Sequence, residues 1–362
     1  MSHVPSSPLT PRAPDLPAWT ERLRQGDRRS AEEVRDLVGA VLAGEIDLDT
    51  FGRWLVALAD AGESAAEIAG VAAALRGRML PVQSTTPLVA DTCGTGGDGS
   101  GSFNISTAAG IVVAAAGQPV AKHGNRAVSS RTGSADVLER LGVKVDASPD
   151  VSSRCLKELG LCFCLAPTHH PAMARVGALR RSLGRPTVFN LVGPLCNPAG
   201  ANVQVIGVGR PAAREPVADA ARLLGAARAL VVSGHVGDDA SKAFDEVSLF
   251  GPTDVIDVTP AGVDRTRWTP EDFGLATYPA SALDDLEVAG PEESAAAIRH
   301  VLAGGRGPRR DVVVLNAAAV LWAAGRAADP PAARVLAERA IDSEAAAGLL
   351  GRFAAMSHDP VS

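Results

Sequence analysis

Three glycine-containing loops and one pair of carboxylates hold most of the side chains with which this chain can do chemistry. The densest stretch is Asp91-Thr-Cys-Gly94-Thr95-Gly96-Gly97-Asp98-Gly-Ser-Gly101, followed at once by Phe103-Asn104-Ile105-Ser106-Thr107. Glycines let backbone N–H groups close on an anion, and a helix opening after the loop adds free donors and the positive end of its dipole. Asn104, Ser106 and Thr107 add side-chain donors where that helix begins. The pattern is a phosphate cradle in kind, but not a Walker loop, since no Gly-Lys-Ser/Thr follows. A plain turn before a well-capped helix is the competing reading; five glycines with Asn, Ser and Thr at the helix start favour the cradle.

The second loop is Lys122-His123-Gly124-Asn125-Arg126, after a short apolar strand. Lysine brings a compact charge suited to phosphate, and His and Asn suit a polar substrate group. Open α/β sheets bind ligands at such strand ends. Next, Ser129-Ser130-Arg131-Thr132-Gly133-Ser134-Ala135-Asp136 opens another helix, where a simple cap is an equally good reading. The third loop region starts with His169-His170-Pro-Ala-Met173 and has Arg180 and Arg181 downstream. An arginine fork suits a carboxylate, whereas adjacent histidines point apart and make a poor two-histidine metal site. Phe189-Asn190-Leu-Val-Gly193-Pro194-Leu-Cys-Asn197-Pro198 reads as a rigid loop. Asp245-Glu246 would lie on a solvated face in most acidic chains, but beside two phosphate-binding loops it is a natural oxygen-ligand pair for magnesium. Cys162 and Cys164 lie in the apolar run Leu161–Ala166 and read as small core residues rather than metal ligands.

Positioning these residues requires two kinds of architecture. From Ala18 to Arg78, apolar clusters recur at three- and four-residue steps, as at Val34, Leu37, Val41 and Leu42. Ser30 and Ser64 each precede a glutamate by three residues, the arrangement that caps a helix start. This predicts a small all-helical domain over 18–80. Met79–Pro87 breaks the pattern. Beyond it, strand-like Leu88-Val89-Ala90, Val120-Ala121, Leu161–Ala166, Val203–Val208 and Ala229–Val232 alternate with helical Ser106–Ala116, Ser134–Leu141 and Pro211–Leu224. That rhythm predicts a large α/β domain over 88–171 and 199–356, a central sheet flanked by helices. A helical segment at about 172–198 joins the first unit, and Arg309–Phe353 is helical. Residues 1–17, rich in Ser and Pro, read as a disordered tail and not a signal peptide.

Composition limits the function. The chain has 362 residues, 46% hydrophobic and only 4% aromatic, so its core must be built from small aliphatic side chains. A net charge of −6 argues against coating nucleic acid or an anionic membrane. No run reaches the length of a membrane span, so a cytoplasmic location is expected. The five cysteines are not a secreted disulfide framework.

Taken together and in order, Gly94-Thr-Gly-Gly-Asp98, Lys122-His-Gly-Asn125, Ser129-Ser-x-x-Gly-Ser-Ala-Asp136, His170-Pro-Ala-Met, Asn190-Leu-Val-Gly-Pro-Leu and Asp245-Glu246 resemble the anthranilate phosphoribosyltransferases of tryptophan biosynthesis. The resemblance implies the fold shared with pyrimidine nucleoside phosphorylases, a homodimer joined through helical domains, and use of magnesium. It implies that Gly94, Thr95, Gly96, Gly97, Asp98, Asn104, Ser106, Thr107, Lys122 and Ser134 hold phosphoribosyl pyrophosphate. Gly94, His123, Asn125, His170, Arg180 and Gly193 would meet anthranilate, with Arg180 on its carboxylate. Ser106, Asp245 and Glu246 would hold the metal. Two departures stand out. The family's Leu-Gly-x-Arg-Thr is Leu183-Gly-Arg185-Pro186-Thr187 here, and the segment before Asp245 is longer, Gly234 to Phe244. Asp238-Asp239 in that segment is a rival metal pair, but Val-Ser-Leu follows Asp245-Glu246 as the family has it. Rival functions are transfer to another aromatic acceptor, pyrimidine nucleoside phosphorolysis, and non-catalytic nucleic-acid binding.

Overall fold

The computed structural model describes residues 15–127, 130–237 and 239–359, without the side chains of 239–242. Residues 1–14, Ser129 and Asp238, which figure in the expectations above, lie outside the described residues. Four helices come first: α1 (Leu16–Arg24), α2 (Ala31–Ala43), α3 (Leu48–Ala61) and α4 (Ala65–Arg76). Asp15 caps α1 by accepting the Ala18 N–H at 3.1 Å, and Leu16 is buried. Asp15, Leu16 and Pro17, expected in the tail over 1–17, therefore belong to this capped helix. Both expected capping boxes form, Ser30 with Glu33 and Ser64 with Glu67. Such a cap contributes about 1 kcal/mol to its helix.

The remaining elements are β1 (Ala90–Gly94), α5 (Ile105–Ala115), β2 (Val120–Gly124), α6 (Ser134–Arg140), α7 (Pro149–Leu159), β3 (Leu161–Leu165), α8 (Ala166–His169), α9 (Ala174–Leu183), β4 (Val203–Gly207) and α10 (Arg214–Leu223). After these come β5 (Arg228–Val236), β6 (Asp239–Phe244), β7 (Thr253–Thr259), β8 (Gly262–Trp268), α11 (Pro291–Leu302), α12 (Pro308–Ala323), α13 (Pro330–Asp342) and α14 (Ala345–His358). One mixed sheet runs β3-β2-β1-β4-β5-β7-β8, with β6 on β5. The strands from β3 to β5 are parallel, while β6, β7 and β8 are antiparallel. The β7–β8 hairpin was not anticipated.

Two strands sit further along the chain than their apolar residues suggested. β1 begins at Ala90 and takes in Asp91–Gly94, because each of these residues pairs with one of Val203–Gly207. Leu88, expected in the strand, is exposed. β2 likewise takes in Lys122, His123 and Gly124, paired with Phe163, Cys164 and Leu165. The chemistry-bearing loops therefore leave the carboxyl ends of the adjacent strands β1 and β2, with β4 beside them.

Alternation along the strands divides the core in two. Val203, Val205, Leu230, Val232 and Val255 face the cluster built on α5, α11, α12 and α14. Ile206, Val208, Ala229, Val231, Ile256 and Val258 face α10 and a cluster continuous with the core of α1–α4. Val176, Val188, Phe189, Leu191, Val192 and Leu195 belong to this second cluster, so the stretch after α9 packs on the helical bundle. Arg76 fastens the two, its Nε–H donating to the Leu195 carbonyl at 2.7 Å. Among the described residues no helix is long and apolar enough to cross a membrane.

Candidate active site

The loop after β1 keeps its backbone open by left-handed turns at Gly96, Gly97, Gly99 and Gly101, with φ of +73°, +84°, +72° and +65°. A side chain at these positions would strain the chain, so glycine is required. The three donors expected at the start of α5 take separate roles. Asn104 turns sideways, its Oδ1 accepting from Thr132 Oγ1 at 3.0 Å and Ser294 Oγ at 2.8 Å. Thr107 is buried, and its hydroxyl has no partner among the described residues. Ser106 is half-buried, and its N–H donates to Glu246 Oε1 at 3.1 Å.

Asp245 reaches the same loop from the other side. Its Oδ2 accepts the Gly96 N–H at 2.8 Å, and its own N–H donates to Asp98 Oδ2 at 3.4 Å. A Cβ on Gly94 would overlap the Asp245 carboxylate, and one on Gly207 would overlap the Asp245 carbonyl. The ends of β1 and β4 thus form a slot that only glycine leaves wide enough for Asp245. Burial, with Asp98 and Glu246 nearby, pushes the Asp245 carboxyl well above the usual carboxylate range. Burial also pushes Glu246 up to about 8, against the opposing pull of Lys122. Crowded acids with so little compensating charge favour a cation between them.

Lys122 is buried, and its Nζ donates to the Thr92 carbonyl at 2.7 Å, which holds the ammonium against β1. Beside it lies Asp91, fully buried, which accepts from Asn197 Nδ2 at 2.8 Å and from the His123 N–H at 3.4 Å. Asn197 Nδ2 also donates to the Ala121 carbonyl at 2.7 Å, so this buried amide ties the loop after Gly193 to β1 and β2.

His123 and His170 form a second cluster, their ring centroids 5.1 Å apart. His123 Nδ1 lies 2.9 Å from the Gly193 carbonyl, and His170 Nε2 lies 2.9 Å from the Cys196 carbonyl. A carbonyl only accepts, so these nitrogens carry the hydrogens. The lone pairs therefore sit on His123 Nε2 and His170 Nδ1, both buried and without a partner among the described residues. Burial lowers the two pKa values to about 3 and about 4, so both rings are neutral at pH 7.

Asn125 is exposed, and its carbonyl accepts from Ser134 Oγ at 3.4 Å. Arg180 packs on Phe189, its Cζ 5.2 Å from the ring centroid. Arg185 does not take over from the arginine that Pro186 replaces: its NH2 pairs with Asp60 on α3 at 2.7 Å. Cys162 and Cys164 are buried and free, their sulfurs 4.0 Å apart, as core residues.

Direct contacts therefore join Gly94, Gly96, Asp98, Ser106, Asp245 and Glu246, and separately His123, His170 and Gly193. Gly207, Asn197, Thr132 and Ser294 hold the site in shape but were not among the expected site residues. Asn197 and Thr132 lie in loops already singled out. Nothing in the sequence marks Gly207 or Ser294, because their roles depend on partners 38 positions or more away along the chain.

A mixed sheet bearing this site and a helical bundle define a class of glycosyl transferases. The profile described as "Glycosyl transferase family, helical bundle domain" matches residues 17–79, and that described as "Glycosyl transferase family, a/b domain" matches residues 86–347. Among curated relatives, the anthranilate phosphoribosyltransferase of Moorella thermoacetica is 46% identical over 335 residues, covering 92% of this chain and 96% of its own. That of Rhodopirellula baltica is 44% identical, covering 91% and 94%. The crystal structure of the Thermus thermophilus enzyme superposes with a TM-score of 0.86 at 41% identity, covering 94% of this chain and 99% of that one. The Saccharomyces cerevisiae enzyme in complex with PRPP and Mg gives 0.83 at 27% identity, covering 94% and 97%. The chain belongs to the anthranilate phosphoribosyltransferase family.

Proposed function

We propose that this protein transfers the phosphoribosyl group of phosphoribosyl pyrophosphate to the amine of anthranilate, with release of pyrophosphate. The observation that carries this reading is the docking of Asp245 and Glu246 onto backbone N–H groups of the glycine loop and of α5, at 2.8 Å and 3.1 Å. An anion cradle and a carboxylate pair at one strand edge suit a metal-bound diphosphate. The donor would lie along Gly94–Asp98, Asn104, Ser106, Lys122 and Ser134, with Thr107 acting from beneath.

Magnesium fits this donor set. Asp245 and Glu246, with Ser106 beside them, would hold it. Among the described residues no three His, Cys, Asp or Glu side chains could enclose an ion by themselves. That suits an ion that binds through one or two carboxylates, substrate phosphates and water. When bound, magnesium would supply charge neutralisation for the departing pyrophosphate.

The chain's own residues do the rest. Backbone N–H groups of residues 96–101 and the Lys122 ammonium stabilise negative charge on the leaving group as the sugar carbon becomes oxocarbenium-like. The aryl amine is neutral at pH 7 and keeps its lone pair, so no strong base is needed. His123 Nε2 and His170 Nδ1 can accept hydrogens from a donor such as this amine but cannot give one. Arg180 offers its fork to the carboxylate. Aligning amine and sugar carbon is worth up to roughly 7–11 kcal/mol in ideal cases. Closure of the helical bundle on the α/β domain would complete that alignment and exclude water. A homodimer joined through the helical unit belongs to the same reading.

Turnover of anthranilate with phosphoribosyl pyrophosphate, with and without magnesium, tests the proposal; no magnesium-dependent turnover would refute it. Because Pro186 replaces an arginine and Arg185 is held by Asp60, a second reading is transfer to another aromatic acceptor. Faster turnover of another aromatic acid in a substrate panel would favour it.

A further inference from the structure

Arg180 differs from the other arginines near it. Arg185 spends its fork on Asp60, and Arg181 is exposed. Arg180 is half-buried, and among the described residues it has neither an acidic partner nor a hydrogen bond. Its guanidinium lies over the face of Phe189, Cζ 5.2 Å from the ring centroid. A ring face attracts a guanidinium without occupying any of its N–H groups. All of the fork therefore stays available to a ligand, while the plane beneath it is fixed.

The ring itself is braced. Phe189 is 5% exposed and meets Phe51 edge-on, centroids 6.3 Å apart at 72°. Phe51 stacks on Trp54 at 5.7 Å and 20°. Both belong to α3, which approaches α9 so closely that a Cβ on Gly52 would lie 2.9 Å from Leu179 Cδ1. The backbone of Phe189 is pinned as well, since Asn190 Oδ1 reaches back to accept the Thr187 N–H at 3.1 Å. The Phe-Asn pair of the sequence thus has two tasks: Asn190 closes a tight turn, and the turn presents the ring.

We infer that Phe189 is a positioning residue for acceptor binding, holding the Arg180 guanidinium over its ring and uncommitted so that it takes the acceptor's carboxylate. Bracing from α3 makes the first helical unit part of the acceptor site, although none of its side chains need touch the acceptor. The inference rests on the proposed function and adds to it the residue that fixes the carboxylate-binding group.

The test is a double-mutant cycle on the full-length protein with magnesium, varying each substrate in turn while the other is saturating. Wild type, F189L, R180A and the double variant are compared by kcat/KM for anthranilate and by KM for the sugar donor. F189L should lower kcat/KM for anthranilate roughly threefold to thirtyfold, the range expected for a lost cation–π contact, and leave the donor KM unchanged. F189Y, which keeps the ring face, should restore wild-type behaviour. In the R180A background, F189L should have no further effect. F189M, similar in volume, carries the same comparison if F189L does not fold. Additive losses in the cycle, or an equal rise in the donor KM, would overturn the inference alone. No turnover of anthranilate by the wild type would overturn the acceptor assignment, and this inference with it.

Discussion

The paired histidines make acid sensitivity calculable. His123 and His170 sit at about 3 and about 4 in the fold, chiefly because burial penalises the charged ring. In the unfolded chain each titrates near its ordinary value of about 6.5. The folded values are depressed, so as pH falls the unfolded chain takes up protons first. Nothing is lost well above pH 6.5, and stability falls progressively from there toward pH 4 and then pH 3. Between pH 7 and 5, each ring should favour the unfolded state by about 2 kcal/mol, taking about 1.4 kcal/mol for each pH step below 6.5. In His170→Gln, the glutamine Nε2 can still donate to the Cys196 carbonyl, but the side chain cannot be protonated. Urea unfolding of both proteins at pH 7 and pH 5 reads the difference directly. Wild type should lose about 2 kcal/mol more than the variant over this interval. Equal losses, or a His170 imidazole that titrates near pH 6.5 by NMR in the native protein, would refute the argument from burial.

Other substitutions probe the metal end of the site. Gly207→Ala forces the Asp245 backbone to move, since the new methyl overlaps its carbonyl. Misplacement on the order of 1 Å costs about a hundredfold in rate, so kcat/KM should fall about that far while the protein still folds; near-normal activity would show that the slot between β1 and β4 is not needed. Asp245→Asn keeps an acceptor for the Gly96 N–H but removes the charge. It should raise the magnesium concentration for half-maximal turnover at least about tenfold, by analogy with losses at metal sites, and an unchanged magnesium titration would count against the ligand role.

Much of this site was legible because its loops carry their own chemistry. Gly96, Gly97, Gly99 and Gly101 announce a backbone that ordinary residues rarely adopt, and Asp245-Glu246 lies between the apolar Phe244 and Val247. The helix caps at Ser30 and Ser64 were readable for the same reason, each being a contact over three residues. What depends on contacts distant in sequence was not readable. β1 looked as though it began at Leu88 because that residue is apolar; pairing with β4 decides that the strand runs through Asp91–Gly94 instead. Thr107 reads as one more donor at the helix start, and only the fold shows that α5 buries its side chain. Gly207 resembles any strand-end glycine until Asp245 is seen against it. The antiparallel β7–β8 hairpin was missed, its outer strand Gly262–Trp268 being largely exposed and charged rather than apolar.

The central claim is that one cleft, at the carboxyl ends of β1 and β2, grips the diphosphate of the sugar donor. A crystal structure of the protein with phosphoribosyl pyrophosphate and magnesium tests it most directly. The account predicts the diphosphate against the backbone of residues 94–107, with the metal between it and Asp245 and Glu246. A donor bound elsewhere, or those carboxylates pointing away from it, would contradict the account.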